Sequence, residues 1–428
     1  MTAHRITRRR FVQASLFAAS VGPLAAARMA RGAAANERIT LGFIGMGKQA
    51  GGHVGRLLGM PDVQILAVSD VEPTRLADAK QKVENGYAKQ TGGGSYSGCA
   101  AYADFRELLA RQDIDAVVIS TPDHWHAIPT IMAAQAGKDI YCEKPLSVFI
   151  AEGRAMVDAV RKHNVVFQTG SQQRSEFGGK FRHAVELVRN GHIGEVKTVR
   201  VGVGEAAIPC DLPTEELPAG TDWNMWLGPA PERGYNSVLC PKGLHNHFPA
   251  WRKYREYAGG ALSDMGAHHF DIAQWALNKD DSGPVKIEPP ADGGKSGLKF
   301  TYADGIEMFH GGPSGCTFEG TKGTLYVDRQ KMESTVAGIL SHKTTDTEWR
   351  CPPSDNHHRD WIEAIKARRK PICDVEIGHR SGTVCALGNI GYQLKRPLRW
   401  DPKSEKFVDD AEADALITRE LRAPWKLA

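Results

Sequence analysis

The sequence predicts an α/β protein in which a doubly wound parallel sheet is followed by a second domain with an antiparallel sheet. Three patterns lead to this prediction. Over the first 170 residues short apolar segments alternate with helical segments, and a glycine-rich turn follows the first apolar segment. After Gly170, apolar and polar residues alternate with a period of two, which is typical of half-buried antiparallel strands.

The parallel sheet is predicted from apolar segments that are short enough to be buried strands. They lie at Ile39–Ile44, Val63–Ser69, 116–120, Asp139–Cys142 and 165–168. Helical spacing is found between them, at 53–58, Phe105–Ala110, 125–136 and 151–163. Residues 85–100 are rich in Gly, Ser and Tyr without a period, so we expect a loop there.

The antiparallel sheet is predicted from alternating segments at 195–203 and 298–309. The second of these contains Asp304-Gly305, a strong hairpin signal. Residues 317–319 and 324–327 flank a further turn, and we expect helices on one face of this sheet. The segment 205–255 contains five Trp or Tyr residues, which favour an ordered binding loop over a disordered one.

The first residues have the features of an export signal. Thr7-Arg8-Arg9-Arg10-Phe11 precedes an apolar, Ala-rich run at 14–27, and a small-residue cleavage pattern follows at 33–35. The paired arginines resemble a twin-arginine signal, so residues 1–35 are interpreted as a leader and the mature chain as periplasmic or secreted. The apolar run is too short to anchor the chain in a bilayer, and we expect no membrane contact of the mature form.

The net charge argues against a nucleic-acid partner. The chain has 54 Lys and Arg against 50 Asp and Glu, a net charge of +4. Six of the arginines lie in the leader, which has no acidic residue, so 48 basic and 50 acidic residues remain and the mature chain has a net charge of −2. Without a basic cluster, such a chain lacks the electrostatic features of nucleic-acid binding.

The eight cysteines are scattered and form no Cys-x-x-Cys pair. An oxidising compartment permits disulfides, and Cys210 with Cys240 is the pair we would test first. Cys142 ends an apolar strand, where we expect a buried free thiol.

The turn after the first strand fits a dinucleotide site. It contains Gly45-Met46-Gly47, with Ala50 at the third fingerprint position, between a predicted strand and a predicted helix. The first glycine permits the tight turn, and the second lets the backbone approach a pyrophosphate. Asp70 ends the next strand, where a carboxylate holds the ribose hydroxyls of NAD and repels the 2′-phosphate of NADP. Arg75 lies just beyond and could compensate, so NAD is preferred and NADP stays possible.

Two polar segments follow the next strands of the predicted sheet. They are Thr121-Pro122-Asp123-His124-Trp125-His126 and Cys142-Glu143-Lys144-Pro145. Ligands of open α/β sheets bind at this edge. A lysine such as Lys144 could reach both a nicotinamide and a substrate hydroxyl, although a lone Glu-Lys-Pro would better fit a solvated lysine at a strand end.

A possible general base lies in the second half. Asp264 and His268 are four residues apart and would share one face of a helix. A carboxylate that orients an imidazole gives a base for a hydroxyl proton. The same segment also fits a helix-capping aspartate beside a packed histidine. His268, His269 and Asp271 raise the question of a metal, but no third ligand shares the face, so we expect none.

These motifs together resemble the Gfo/Idh/MocA family, whose members include glucose–fructose oxidoreductase and myo-inositol dehydrogenase. The resemblance implies a Rossmann domain, here 36–170, and a substrate and oligomerisation α/β domain with an open, mostly antiparallel sheet, here 171–428. It implies that Lys144, Asp264 and His268 form the catalytic group.

The resemblance also assigns residues to the cofactor. It implies that His126, Glu143 and Gln172 lie beside the dinucleotide, and we assign Thr121 and Pro122 to the same site.

Four segments resemble more closely a secreted subgroup with twin-arginine leaders. They are 121–126, 170–174, 222–229 and 264–275. Arg174, Trp223 and His269 lie within these segments, and we take them as candidate substrate contacts.

The function expected from these features is hydride transfer between NAD(P) and a hydroxyl of a sugar, glycoside or cyclitol. Because an exported enzyme has no pool of free NAD, we expect the cofactor to stay bound and to be recycled in place. One alternative is an NAD-dependent glycosidase or lyase that acts by transient oxidation. Another is a non-catalytic sugar-binding protein. We expect a small-molecule partner and a homo-oligomer.

Overall fold

The computed structural model describes residues 38–427, and the predicted leader at 1–35 lies outside them. The described chain forms two β-sheets with helices packed against both. The predicted fold class is confirmed: a parallel sheet comes first, and a mostly antiparallel sheet follows.

The first sheet of the described chain has six parallel strands in the order β3-β2-β1-β4-β5-β6. They are β1 (Ile39–Ile44), β2 (Val63–Ser69), β3 (Ala100–Tyr102), β4 (Ala116–Ile119), β5 (Asp139–Cys142) and β6 (Phe167–Thr169). All residues of β4 and β5 are buried because helices cover both faces. The strand order reverses between β1 and β4, so a crevice opens at their carboxyl ends.

Five helices accompany the described part of this sheet. They are α1 (Lys48–Leu58), α2 (Pro73–Gln90), α3 (Phe105–Ala110), α4 (Ala127–Gln135) and α5 (Ile150–His163). The predicted loop at 85–100 is wrong in its first part, because α2 continues to Gln90. Glu72 caps that helix by accepting the N–H of Arg75 at 2.7 Å, and Pro73 occupies its first turn. The edge strand β3 at the end of this segment was also missed.

The second sheet of the described chain has eight strands in the order β12-β11-β10-β9-β8-β13-β14, with β7 paired to β10. They are β7 (Val196–Gly202), β8 (Lys286–Glu288), β9 (Lys299–Thr301), β10 (Glu307–Gly320), β11 (Gly323–Val327), β12 (Met332–Ser334), β13 (Leu398–Asp401) and β14 (Lys406–Phe407). The hairpin predicted at Asp304-Gly305 joins β9 to β10, and Glu307 pairs with Thr301.

The described second half contains seven α-helices, several of which pack against this sheet. They are α6 (Lys180–Arg189), α7 (Trp223–Leu227), α8 (Gly260–Asp264), α9 (Gly266–Ala276), α10 (His357–Ala367), α11 (Val375–Leu394) and α12 (Ala411–Asp414). Every residue of α9 is buried, because this helix packs against β7, α6 and α11.

One helix of the second half belongs to the core of the first. Trp361, Ile362 and Ile365 of α10 pack with the buried residues of β1 and β2. Trp361 is fully buried, and its indole meets the Tyr141 ring edge-on at 5.6 Å between centroids. A helix that follows residue 170 in the sequence therefore belongs to the core of the domain that precedes it.

The segment 205–255 is ordered around an aromatic cluster. Trp223 stacks on Trp226 with 4.7 Å between ring centroids, and Tyr235 packs edge-on against Trp223. Among residues 38–427, no helix combines the length and apolar character needed to cross a bilayer.

All eight cysteines are free, so the suggested Cys210–Cys240 disulfide is not formed. The Cys240 thiol instead accepts a hydrogen bond from Arg75 at 3.5 Å, and that of Cys210 contacts Arg233. Cys142 is a buried free thiol, as predicted.

Candidate active site

The turn between β1 and α1 is shaped to receive a phosphate. Gly45 has φ of +84°, and a Cβ there would lie 2.8 Å from the backbone nitrogen of Thr121. Gly47 caps α1, and no heavy atom lies within 4 Å of the place where its Cβ would stand. The N–H groups that begin α1 therefore face an open cradle, which fits the pyrophosphate of a dinucleotide.

Asp70 is held at the end of β2 by backbone donors. Its Oδ2 accepts the N–H of Met46 at 2.7 Å, and its Oδ1 accepts the N–H of Glu72 at 2.9 Å. Arg75 lies 3.4 Å from the same carboxylate, and its Nη1 donates to the carbonyls of Pro241 and Gly243 at 2.8 and 3.2 Å. These contacts occupy the guanidinium of Arg75.

Residues 239–252, here called the strap, lie over this crevice. They line a cleft of about 870 Å³ together with Gly45, Asp70, Thr121 and Pro122. The strap is tied to α1, since Lys48 Nζ donates to the carbonyl of Asn246 at 3.0 Å and lies 4.6 Å from the Phe248 ring centroid. The strap thus forms one wall of the cleft.

A second cavity of about 1220 Å³ adjoins the cleft and contains the predicted catalytic residues. Lys144 follows β5, and its Nζ donates to Oδ1 of Asp264 at 2.7 Å and to the carbonyl of Asp264 at 2.8 Å. Burial alone would raise the pKa of Asp264, but the charge of Lys144, its hydrogen bond and the charge of Arg252 together outweigh burial, and the pKa is lowered. The two side chains form an ion pair at the cavity wall.

His268 also lines this cavity, but Asp264 does not orient it as the sequence suggested. Asp264 ends α8 and His268 belongs to α9, so the expected single helix is interrupted at Met265. Within residues 38–427 no hydrogen bond joins Asp264 to His268; the aspartate bonds to Lys144, and the buried Nδ1 of His268 has no partner. Burial and the positive charges of Lys144 and Arg329 hold the pKa of His268 well below its usual value. The imidazole is therefore neutral.

Glu143 is the centre of a buried network beside Lys144. Its Oε1 accepts from Gln172 at 2.8 Å and from Gln49 at 3.1 Å, and lies 2.9 Å from Nε2 of His53. Burial opposes ionisation, but the contact with His53 outweighs it and lowers the pKa of Glu143 to about 2. His53 in turn lies 2.7 Å from Nε2 of His358. Glu143 therefore stays anionic at the cavity wall.

His126 joins two loops of the site. Its Nδ1 lies 2.8 Å from the carbonyl oxygen of Pro145, and its Nε2 lies 3.1 Å from that of Thr121. Burial lowers the pKa of His126. Its ring lines the second cavity, as does the side chain of Gln172.

The structure does not bring the three candidate substrate contacts to the cavity wall. Arg174 is fully buried and forms two-pronged ion pairs with Asp271 and Asp280, at 2.7 to 2.9 Å. Trp223 packs inside the aromatic cluster of the 205–255 segment. His269 is buried behind His268, 3.4 Å from Nε2 of Gln173.

Arg329, Arg252 and Asp123 are among the cavity residues that were not predicted from the sequence. Arg329 lines the cavity, and in the described structure it donates only through Nε, to Gln173 at 2.9 Å. Arg252 belongs to the strap and lies 3.8 Å from Asp264. Asp123 is buried, and burial raises its pKa well above its usual value. No spacing in the sequence links Arg329 or Arg252 to the motifs of the site. Only Asp123 lies within a predicted motif, the 121–126 segment.

Comparison with known proteins assigns the family. Residues 39–171 match the NAD-binding Rossmann fold of the GFO_IDH_MocA oxidoreductase family, and residues 203–427 match the C-terminal alpha/beta domain of the same family. The chain therefore belongs to the Gfo/Idh/MocA oxidoreductase family, and its first domain is an NAD-binding Rossmann domain.

Individual relatives match smaller parts of the chain. The chain is 32% identical over 240 residues to myo-inositol 2-dehydrogenase of Thermotoga maritima, covering 56% of this chain and 55% of that protein. It is 31% identical over 164 residues to a glycosyl hydrolase family 109 protein of Shewanella pealeana, covering 37% of this chain and 34% of that protein. The chain thus spans about half or less of the length of these curated relatives.

A solved structure has the same fold. Aldose-aldose oxidoreductase of Caulobacter crescentus, complexed with glycerol, superposes with a TM-score of 0.57 at 18% identity, over 85% of this chain and 99% of that chain.

Proposed function

We propose that this member of the Gfo/Idh/MocA family is an NAD-dependent oxidoreductase acting on a hydroxyl group of a sugar, glycoside or cyclitol. One observation carries the proposal: the Lys144–Asp264 ion pair and a neutral His268 line one cavity that adjoins the dinucleotide cleft. A positively charged donor and a proton acceptor are the two groups that oxidation of a hydroxyl requires beside the cofactor.

The nicotinamide, when bound, supplies the hydride acceptor. In our proposal His268 removes the hydroxyl proton, since burial keeps its imidazole neutral. Lys144 donates a hydrogen bond to the same oxygen and stabilises the negative charge that develops on it. Asp264 accepts a hydrogen bond from the Lys144 ammonium at 2.7 Å and so holds it in place. Its role in our proposal is to position Lys144, and not to orient His268.

We further propose that the cofactor stays bound through many turnovers. The strap supports this, because Arg75, Lys48 and Arg252 connect it to the walls of both cavities. The twin-arginine leader supports it too, since that route exports folded proteins and an exported enzyme meets no free NAD. Such an enzyme, periplasmic or secreted in the proposed subgroup, would return the hydride to a second substrate or to the same molecule.

Our second candidate is an NAD-dependent glycosidase or lyase, in which the hydride returns to the same molecule. Asp123 favours it, because a buried carboxyl with a raised pKa keeps its proton and can give it to a leaving group. The name of the Shewanella pealeana relative points to the same chemistry. A non-catalytic sugar-binding protein is the third candidate.

The first test is the mass spectrum of nucleotide released when the purified chain is denatured. NAD or NADH supports the proposal, and a sample without dinucleotide favours the sugar-binding alternative. A screen of sugars and cyclitols by absorbance at 340 nm then detects net oxidation. Release of nitrophenol from nitrophenyl glycosides without NADH indicates the glycosidase.

The second test removes the charged donor. Lys144→Ala should abolish turnover while the variant retains NAD, and Lys162→Ala, at the exposed end of α5, is the matched control. Full turnover in Lys144→Ala would contradict the mechanism. We also propose a homo-oligomer formed through the second sheet, which light scattering of the purified chain tests.

A further inference from the structure

Two histidines and a glutamate converge at one edge of the second domain, outside the linings of both cavities. His192 Nε2 lies 2.7 Å from Oε1 of Glu348, and His342 Nε2 lies 3.0 and 3.1 Å from the two carboxylate oxygens. One possible ligand atom from each residue lies within 4.8 Å of the others. We propose that these three side chains bind a divalent transition-metal ion, with Zn²⁺ as the best fit.

The spacing suits zinc. Bonds of about 2.0 to 2.1 Å in a tetrahedral site place neighbouring ligand atoms roughly 3.3 Å apart. The nitrogen–oxygen separations of 2.7 to 3.1 Å are about 0.2 to 0.6 Å shorter than that, so the side chains would move apart slightly around an ion. Two imidazoles with one carboxylate select zinc and its neighbours, whereas Mg²⁺ and Ca²⁺ prefer oxygen ligands alone.

The ligands are held in place before any ion binds. The N–H of Thr345 donates to Oε2 of Glu348 at 2.7 Å, which fixes the carboxylate. The next residue, Trp349, exchanges two 2.9 Å hydrogen bonds with Asn190, which lies just before His192. An ion here would therefore join the segment 342–351 to the end of α6 without rearrangement of the backbone.

One coordination position would remain open to water. The side chains of His192, His342 and Glu348 are 22%, 28% and 20% exposed, so an ion can enter from solvent. This set of ligands was not predicted from the sequence, because His192 lies about 150 residues before His342 and Glu348 and shares no motif with them.

The test is a calorimetric titration of Zn²⁺ into the full chain after treatment with chelator. We expect one equivalent to bind with a micromolar Kd, and the H192A/H342A variant to bind it at least tenfold more weakly. H183A is the matched control: His183 lies on α6 nearby, but its Nε2 contacts the carbonyl of Leu340 at 3.2 Å and not Glu348. Mg²⁺ should not bind at this position.

Thermal denaturation gives a second measurement. A hundredfold excess of Zn²⁺ over the wild-type Kd should raise the Tm of the wild type by about 4 °C, and that of H192A/H342A by at most about half as much. E348Q keeps the shape of the carboxylate and both imidazoles, so it tests the site if the double variant folds poorly. Equal Zn²⁺ affinity in the wild type and in these variants would overturn the proposal. Turnover should be unaffected in all of them.

Discussion

The role of Gly47 in phosphate binding can be tested by adding one methyl group at this position. Gly47 has φ of −70° and ψ of −172°, a conformation that alanine adopts without strain, and no heavy atom lies within 4 Å of the new Cβ. Gly47→Ala should therefore change the free energy of unfolding by less than about 0.5 kcal/mol. The methyl group would, however, occupy the space through which a pyrophosphate approaches the start of α1.

The expected loss of NADH affinity in Gly47→Ala follows from one lost hydrogen bond between the start of α1 and the pyrophosphate. A hydrogen bond to a charged group contributes about 1.5 to 3 kcal/mol. Its loss corresponds to a rise in the Kd for NADH of about 10- to 150-fold. Calorimetry with nucleotide-free protein measures this Kd, and thermal denaturation measures the stability of the same samples.

Gly55→Ala is the matched control. Gly55 lies on the same helix, is also free of heavy atoms within 4 Å and lines neither cavity. Alanine at this position should stabilise α1 by up to about 1 kcal/mol and leave the Kd for NADH unchanged. The reasoning fails if Gly47→Ala binds NADH as tightly as Gly55→Ala does, or if Gly47→Ala unfolds while the control does not.

Three further predictions concern buried ionisable side chains. Arg174→Met should lower the free energy of unfolding by about 3 to 5 kcal/mol, because Asp271 loses its buried partner; a rise in KM without a loss of stability would instead support a substrate contact. Because His268 is held neutral by burial, kcat/KM should show no acid-side fall through pH 6.5, and a fall there would contradict its role as the base. The pKa of Glu143 is lowered from 4.5 to about 2, so its contribution to stability is complete above pH 4.5 and is lost as the pH falls towards 2. Glu143→Gln should therefore flatten the fall of Tm over that pH range, and an unchanged slope would show that the ionised carboxylate does not stabilise the fold.

The parts of the site that the sequence predicted are those encoded locally. The Gly45-Met46-Gly47 turn lies between a strand and a helix that are adjacent in the chain, so its geometry depends on neighbours within a few residues. Asp70 and Lys144 each end an apolar strand, and parallel strands bring their carboxyl ends to one edge. These three positions could be placed before the structure was known.

The pairing of Asp264 depended on distant residues. A spacing of four predicts a shared face only on an unbroken helix. The helix breaks at Met265, and the ammonium of Lys144, 120 residues away, offers the carboxylate a stronger partner than a neutral imidazole. The His53–His358 contact joins positions 305 residues apart, which no local pattern could indicate.

The packing of α10 limits how far the two halves can be treated as modules. Trp361 supplies a side chain that the first sheet cannot supply for itself, since its indole occupies a buried site against Tyr141. A fragment of residues 38–170 would leave that site open to water, and a chimera with another second domain would need a helix of matching shape. Exchange of the second domain would therefore also change the packing of the first sheet.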